Sequence, residues 1–384
     1  MKRRIWLRRI LFGFLGIVVL GNILIVVTGK TFIYKAMYYN LADIDDYKIF
    51  PQRIISKSSK PQEWPNASSY NKFKLSDTLR HTFDSLGTIA FLIIRNDSVY
   101  YEEYWDGYGK DSYSNSFSVA KSFVGTMAGI ALQEGKIKSL DQPVGDFLPE
   151  YREGDKGKIT IRHLLMMSGG LNWDETYASA FSVTTEAYYG TDLKKLMYRL
   201  KAAEEPGKIF DYKSGDTQLL GLVLEKATGK KLAQYAAEKL WQPMGCVHSA
   251  IWSLDHKDGD EKAFCCINSN ARDFARLGNL YLHGGNWKGT QVLDSNYLKQ
   301  ALTPNGLSNR DGQKVDYYGY HIWLIPDYNG QRYYYFRGIL GQYVIMMPDK
   351  NAVIVRLGKK RGQRVFPHFK EVYQMIDEAE GMLK

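Results

Sequence analysis

The sequence predicts an α+β fold: an antiparallel sheet assembled from both ends of the chain, flanked by helices, with a mostly helical lobe inserted between the two sets of strands. An N-terminal membrane helix precedes it. Three observations carry this expectation. Strand-like alternation occurs twice, in GTIAFLIIRNDSVYYEEYWDG from Gly87 and again near the carboxyl end in YGYHIWLI, RYYYFRG, GQYVIMMP and AVIVRLG. The stretch between, from about 120 to 285, is patterned as helices. The first 30 residues join a basic flank to a long apolar run.

At the amino terminus Lys2, Arg3, Arg4, Arg8 and Arg9 precede an apolar run from Ile10 to about Thr28. That length approaches the ~20 residues of a spanning helix. The run ends in VVTGK, without the small-residue pattern of a cleavage site. Residues 1–30 are therefore read as an uncleaved anchor in preference to a cleaved signal. Positive charge stays on the cytoplasmic side, which puts the rest of the chain in the periplasm or outside the cell, and secreted if the segment is removed. Residues 31–75, with ISKSSKPQEWPNASS, read as a linker or extension, and 76–384 as the main domain.

Within that domain two apolar runs flank Asn96-Asp97 and predict a hairpin. A helix follows Ser118, with Val119, Phe123, Met127, Ile130 and Ala131 near helical spacing, and stops around Gly135. TIRHLLMMSGGL predicts a short helix closed by glycines. SGDTQLLGLVLEKATGKKLAQYAAEKLWQPMG predicts two helices parted by a Thr-Gly turn, and NARDFARLGNLYLHGG another with a glycine stop. PHFKEVYQMIDEAEGMLK predicts a last helix.

The net charge of +10 owes half its excess to the first nine residues, so the main domain is only mildly basic. With no basic stripe and no nucleic-acid motif, nucleic acid is not an expected partner. Cys246, Cys265 and Cys266 are too few for a disulfide framework; one bridge from Cys246 to a vicinal cysteine competes with burial of free thiols, which is the favoured reading. No CxxC or HExxH spacing points to a metal, and no Walker A or dinucleotide fingerprint points to a cofactor.

The chemistry concentrates at NSFSVAKSFVG. Positions i and i+3 share a helix face, which joins Ser118 to Lys121. A serine needs a nearby base to act as a nucleophile. A lysine in the first turn opposes the helix dipole. Buried there, its pKa falls and it can serve as that base. Free N–H groups at the helix start can also donate to an oxyanion. A plain helix cap with a solvated lysine is the competing reading. A second S-x-x-K, from Ser69 to Lys72, lies in a polar stretch and reads as chance. There is no G-x-S-x-G for a Ser-His-Asp hydrolase, and His163 reads as a packed residue.

From SVAK onward the chain resembles the serine β-lactamase-like hydrolases, which include class C β-lactamases, DD-peptidases, carboxylesterases and 6-aminohexanoate-dimer hydrolases. ITIRHLLMMSGGL, FDYKSGDTQLLGLVLEKATGK, ARDFARLG and GQYVIMMP resemble family landmarks in the expected order, from about 80 to 360. The resemblance implies a β-lactamase/transpeptidase-like fold and an acyl-enzyme mechanism without a cofactor. Ser118 matches the nucleophile, Lys121 its proton acceptor, and Tyr212 in DYKS the tyrosine that shuttles a proton to the leaving group. Tyr212 is expected beside cations that favour its ionised form. RGILGQ resembles the segment that gives the second oxyanion donor, so the backbone N–H of Ile339 joins that of Ser118.

Two departures matter. The Lys-Thr-Gly of β-lactamases and peptidases is absent from YYFRGILGQ, leaving Arg337 and Gly338, and the second motif ends in Ser214 instead of asparagine. Both favour an esterase or amidase acting on a small ester, amide or peptide. A DD-peptidase or β-lactamase, and a non-catalytic penicillin-recognising sensor, are the alternatives. Trp173, Asp174 and Tyr177 in LNWDETY, and Asn268 in CCINSN, are candidate substrate-binding residues on loops.

Overall fold

The protein is described as a computed structural model covering residues 2–384. Its first helix, α1 (Lys2–Val27), holds a candidate span, Arg4–Val27, long and apolar enough to cross a bilayer. Its described side chains are almost all exposed, since almost nothing in the chain packs on it. A short helix, α2 (Phe32–Tyr39), follows, and the Tyr34 hydroxyl donates to Asn22 Oδ1 at 2.8 Å, tying α2 back to α1.

The segment 31–75 is an extension packed on the lobe, not a free tether. Phe32, Ile33, Ile44, Phe50, Ile55 and Trp64 are buried in the main core. Strand Gln52–Ile55 pairs antiparallel with Ala250–Ser253, giving its backbone groups partners. The Trp64 indole donates to the Arg272 carbonyl at 3.0 Å, and the Tyr188 hydroxyl donates to the buried Asp46 carboxylate at 2.7 Å.

Helix α3 (Asp77–Ser85) starts on a Ser76 cap and leads into β1 (Thr88–Arg95) and β2 (Ser98–Tyr104). The two residues between them, Asn96 and Asp97, have φ of 48° and 58°, the mirror-image turn that matches strand twist. The lobe then runs through α4 (Val119–Gln133), α5 (Ile161–Leu165), α6 (Val183–Tyr189), α7 (Leu193–Arg199), α8 (Ser214–Thr228), α9 (Leu232–Ala236), α10 (Ala271–Leu282) and α11 (Ser295–Ala301). Helix α4 ends before Gly135, and Gly229 in the left-handed region separates α8 from α9, as the glycines predict. In α5 the Thr160 side chain and His163 cap one another, so His163 is a structural residue, as read.

The chain returns in β3 (Trp323–Tyr328), β4 (Gln331–Gly338), β5 (Gln342–Met347) and β6 (Ala352–Gly358), and closes with α12 (Lys370–Met382). The main sheet has the order β3-β4-β5-β6-β1-β2, all antiparallel. The Ile354↔Ile93 pairing within β6 and β1 joins the two chain ends. Alternate residues serve opposite layers. Phe91 and Ile93 belong to the core shared with α3 and α12, while Leu92 and Ile94 belong to the core shared with α4 and α10.

Cys246 is a buried free thiol, as expected. Cys265 and Cys266 depart from the favoured reading, since they are bonded to each other. With both vicinal sulfurs used in that bond, the bridge considered for Cys246 does not form.

Candidate active site

Ser118 sits where a small sheet meets α4. Strand Ser114–Asn115 pairs with Asn268 and Ser269, and the Ser116 N–H donates to the Ile267 carbonyl at 2.8 Å. Phe117, one residue before Ser118, has φ of 43°, a left-handed conformation costly for an aromatic residue. Ser118 is the residue before the helix, yet its hydroxyl makes no capping bond to the helix N–H groups. The plain-cap reading therefore does not describe it.

The hydroxyl is engaged by Lys121. Lys121 Nζ lies 2.9 Å from Ser118 Oγ, 3.0 Å from Ser214 Oγ and 2.8 Å from the Phe264 carbonyl. The side chain is only 1% exposed. Burial lowers its pKa from 10.5 to about 8, against the opposing pull of the Glu175 carboxylate. Holding the ammonium form there costs roughly 3 kcal/mol by that displacement.

The partners fix the orientation of the neutral amine. The Phe264 carbonyl can only accept. The Ser214 hydroxyl donates to Glu175 Oε1 at 2.7 Å, so it accepts from Lys121. Both N–H bonds of a neutral amine are then used, and its lone pair is left for the Ser118 hydroxyl.

Tyr212 follows the short strand Ile209–Phe210 and precedes α8. Its ring lies 5.2 Å from Lys121 Nζ. Its pKa is raised, chiefly by burial and against the lowering influence of the nearby Ser118 hydroxyl. This corrects the expectation that neighbouring cations favour the phenolate. Desolvation by the surrounding Tyr318 and Trp323 rings outweighs them, and the resting phenol is neutral.

The end of β4 closes the site. A Cβ on Gly338 would lie 2.3 Å from the Ser116 carbonyl, so only glycine lets the strand run this close to the Ser118 turn. Ile339 follows, and Leu340 is left-handed at φ 61°. A cleft of about 430 Å³ opens here, lined by Ser118, Tyr177, Tyr212, Arg337, Gly338 and Ile339 among others. Arg337 turns inward; its guanidinium lies 3.2 Å from the Trp323 ring centroid and donates to the Pro367 carbonyl at 3.0 Å. Arg361 and Arg364 line the same cleft, and with Arg337 they form no ion pair among the described residues. Arg364 is held below its usual pKa by burial and by repulsion from Arg337 and Arg361.

The structure thus gathers Ser118, Tyr177, Tyr212, Arg337, Gly338 and Ile339 around one opening, with Lys121 buried behind Ser118 and Ser214 bonded to it. The other three candidates do not line it. Trp173 is buried, its indole bonded to Thr184 Oγ1 at 3.0 Å. Asp174 is exposed and its carboxylate accepts from the Thr176 N–H at 3.0 Å. Asn268 is buried and donates to the Cys266 carbonyl at 2.9 Å, bracing the strand beside Ser114–Asn115.

Sequence reasoning missed Glu175, which accepts from the Ser214 N–H and hydroxyl at 2.7 Å each and contacts the Tyr177 hydroxyl. It lies inside the LNWDETY stretch already singled out, but only the loop's turn determines which acid faces in. Arg361 and Arg364 were also missed, for they sit in a polar stretch without periodicity.

Comparison with known proteins bears on the family and the fold. The Beta-lactamase family model matches residues 76–370. The 6-aminohexanoate-dimer hydrolase of Paenarthrobacter ureafaciens is 26% identical over 298 residues, covering 73% of this chain and 74% of that protein. A Bacillus anthracis structure, a candidate 6-aminohexanoate-dimer hydrolase, superposes with a TM-score of 0.72 at 20% identity, covering 88% of this chain and 92% of that one. A family VIII carboxylesterase superposes with a TM-score of 0.64 at 16% identity, covering 83% and 99%. With the family model spanning most of the chain and the fold shared, the protein belongs to the beta-lactamase family of serine hydrolases.

Proposed function

We propose that this protein is a membrane-anchored serine hydrolase that cleaves an ester or amide through an acyl-enzyme on Ser118. The observation that carries the reading is the buried Lys121 amine 2.9 Å from Ser118 Oγ, with its other two partners both acceptors. In its neutral form Lys121 takes the serine proton as Oγ attacks the carbonyl carbon. The backbone N–H groups of Ser118 and Ile339 receive the oxyanion. Tyr212, neutral at rest, gives its proton to the leaving group and is reprotonated from Lys121. Water then attacks the acyl-enzyme by the reverse relay and releases the acid. Glu175 holds Ser214 so that its hydroxyl accepts from Lys121.

The cleft wall also carries Glu175, Asp211 and Asp311, but Asp211 is paired with Lys213 and Arg310 and Glu175 is bonded to Ser214, so Arg337, Arg361 and Arg364 favour a substrate with an anionic group there. The exposed apolar helix α1 supports anchoring, with the hydrolase unit outside the cytoplasm. The names of relatives support small amides and esters as substrates.

The test is turnover of p-nitrophenyl acetate by the full chain. Release of many equivalents of p-nitrophenol supports the hydrolase. A burst of one equivalent and no more supports the sensor reading. Stable labelling of Ser118 by a fluorescent penicillin, without ester turnover, supports the cell-wall peptidase reading.

A further inference from the structure

Two hollows meet at Ser118. Besides the arginine-lined cleft there is a second of about 200 Å³, walled by Leu41, Ala42, Phe117, Tyr188, Phe264 and Leu340 among others. The hydroxyls along its wall are mostly turned to other partners. Thr184 Oγ1 donates to the Asp174 carbonyl at 2.6 Å, Thr185 Oγ1 to the Ser179 carbonyl at 2.7 Å, and Tyr188 to Asp46 at 2.7 Å. What remains facing the space is chiefly carbon.

The roles of the hollows follow from the proton donor. Tyr212 and the three arginines line the cleft; of these four, only Arg361 also borders the second hollow. A leaving group must sit beside the group that protonates it, so it belongs in the cleft. The acyl portion then belongs in the apolar hollow, whose wall includes Ser214 on the Lys121 side of the serine.

Leu41 and Ala42 come from the extension, just past α2, which is bound to the end of α1. Leu41 both lines the hollow and is 65% exposed, so it stands at the mouth. Just before it in the chain, Met37 and Tyr38 are 72% and 82% exposed. Large apolar and aromatic side chains left bare beside an apolar helix end are suited to the interfacial layer of a bilayer.

We propose that the substrate is an amphiphile drawn from the membrane surface: an apolar acyl chain that enters the hollow past Leu41, joined by an ester or amide bond to an anionic leaving group held by Arg337, Arg361 and Arg364. This rests on the acyl-enzyme reading. The Ser118 Oγ–acyl bond forms as the bond to the leaving group breaks. The proton lost by Ser118 is replaced on the leaving oxygen or nitrogen through Lys121 and Tyr212. Water then releases the free carboxylic acid.

The test labels the full chain, reconstituted in phosphatidylcholine vesicles, with alkyl fluorophosphonates from ethyl to decyl. The second-order rate at Ser118 should climb about fourfold per methylene over the first several carbons, the gain expected for burying each one. Leu41→Asp, at an exposed position that folding does not require, should lower the decyl rate at least about tenfold more than the ethyl rate. Rates independent of chain length, or an equal effect of Leu41→Asp on both probes, with Ser118 still labelled, would overturn this proposal and leave the hydrolase reading standing. No label at Ser118 with any probe would reject both.

Discussion

Replacing Glu175 with glutamine removes the one negative charge that opposes the depressed pKa of Lys121. Ser214 Oγ bridges the two groups, 3.0 Å from Lys121 Nζ and 2.7 Å from Glu175 Oε1. That puts the charges within about 6 Å, where a unit pair interacts by roughly 3 kcal/mol at an effective dielectric of about 20. Solvent at the half-buried carboxylate reduces this, leaving a change of about one to two pKa units. The sign is fixed: without the anion the ammonium is less favoured and the lysine pKa falls. The acid limb of kcat/KM should therefore lie at about 8 in the wild type, with activity rising as pH increases through it. In Glu175→Gln it should move to about 6–7. At pH 7 the neutral fraction of Lys121 would climb from about a tenth to about a half or more, and ester cleavage with it. Above about pH 9 the two proteins should converge. The assay is a pH profile of kcat/KM with p-nitrophenyl acetate. An acid limb that stays at 8 or rises in the variant would refute the electrostatic reasoning, and a wild-type limb near 10.5 would refute the burial argument itself.

Three further outcomes are expected. Tyr212→Phe should slow acylation by amides by about 10²–10⁴-fold but the acylation burst with p-nitrophenyl esters much less, since p-nitrophenolate leaves without a proton; equal losses in the two acylation rates would remove Tyr212 as the proton donor. Gly338→Ala should drive β4 away from the Ser116 carbonyl, and fluorophosphonate labelling should fall by about 10²-fold while far-UV circular dichroism is kept, because the oxyanion donors separate; wild-type labelling would show that the close approach is dispensable. Deleting residues 1–30 should move the protein from the membrane to the soluble fraction with little change in Tm, since α1 is almost wholly exposed; a truncated chain that still sediments with membranes would show that α1 is not the anchor.

Legibility from the sequence followed the physics of each element. The hairpin at Asn96-Asp97, the glycine stops at Gly135 and Gly229, and the terminal strands were readable because period, turn chemistry and positive φ are local properties. Ser118 and Lys121 were readable because a helix fixes the i, i+3 geometry. Tyr212 and Ile339 lie far away in the chain and came only through resemblance. The extension 31–75 hid its packing because Phe32, Ile44, Phe50 and Trp64 are spaced irregularly among polar residues and find their partners across the lobe. Trp173, Asp174 and Glu175 are consecutive, yet one is core, one caps a turn and one braces Ser214. Loop conformation decides that, and no period announces it. The neutral Tyr212 was misjudged because the sequence shows charged neighbours but not the Tyr318 and Trp323 rings that exclude water.

The most direct measurement is peptide mapping of the fluorophosphonate adduct by mass spectrometry in the wild type and in Ser118→Ala. One phosphonyl group on the peptide carrying SVAK, and none in the variant with its fold intact, is the predicted result. An adduct on another residue, or labelling undiminished in Ser118→Ala, would contradict the assignment of Ser118 as the nucleophile.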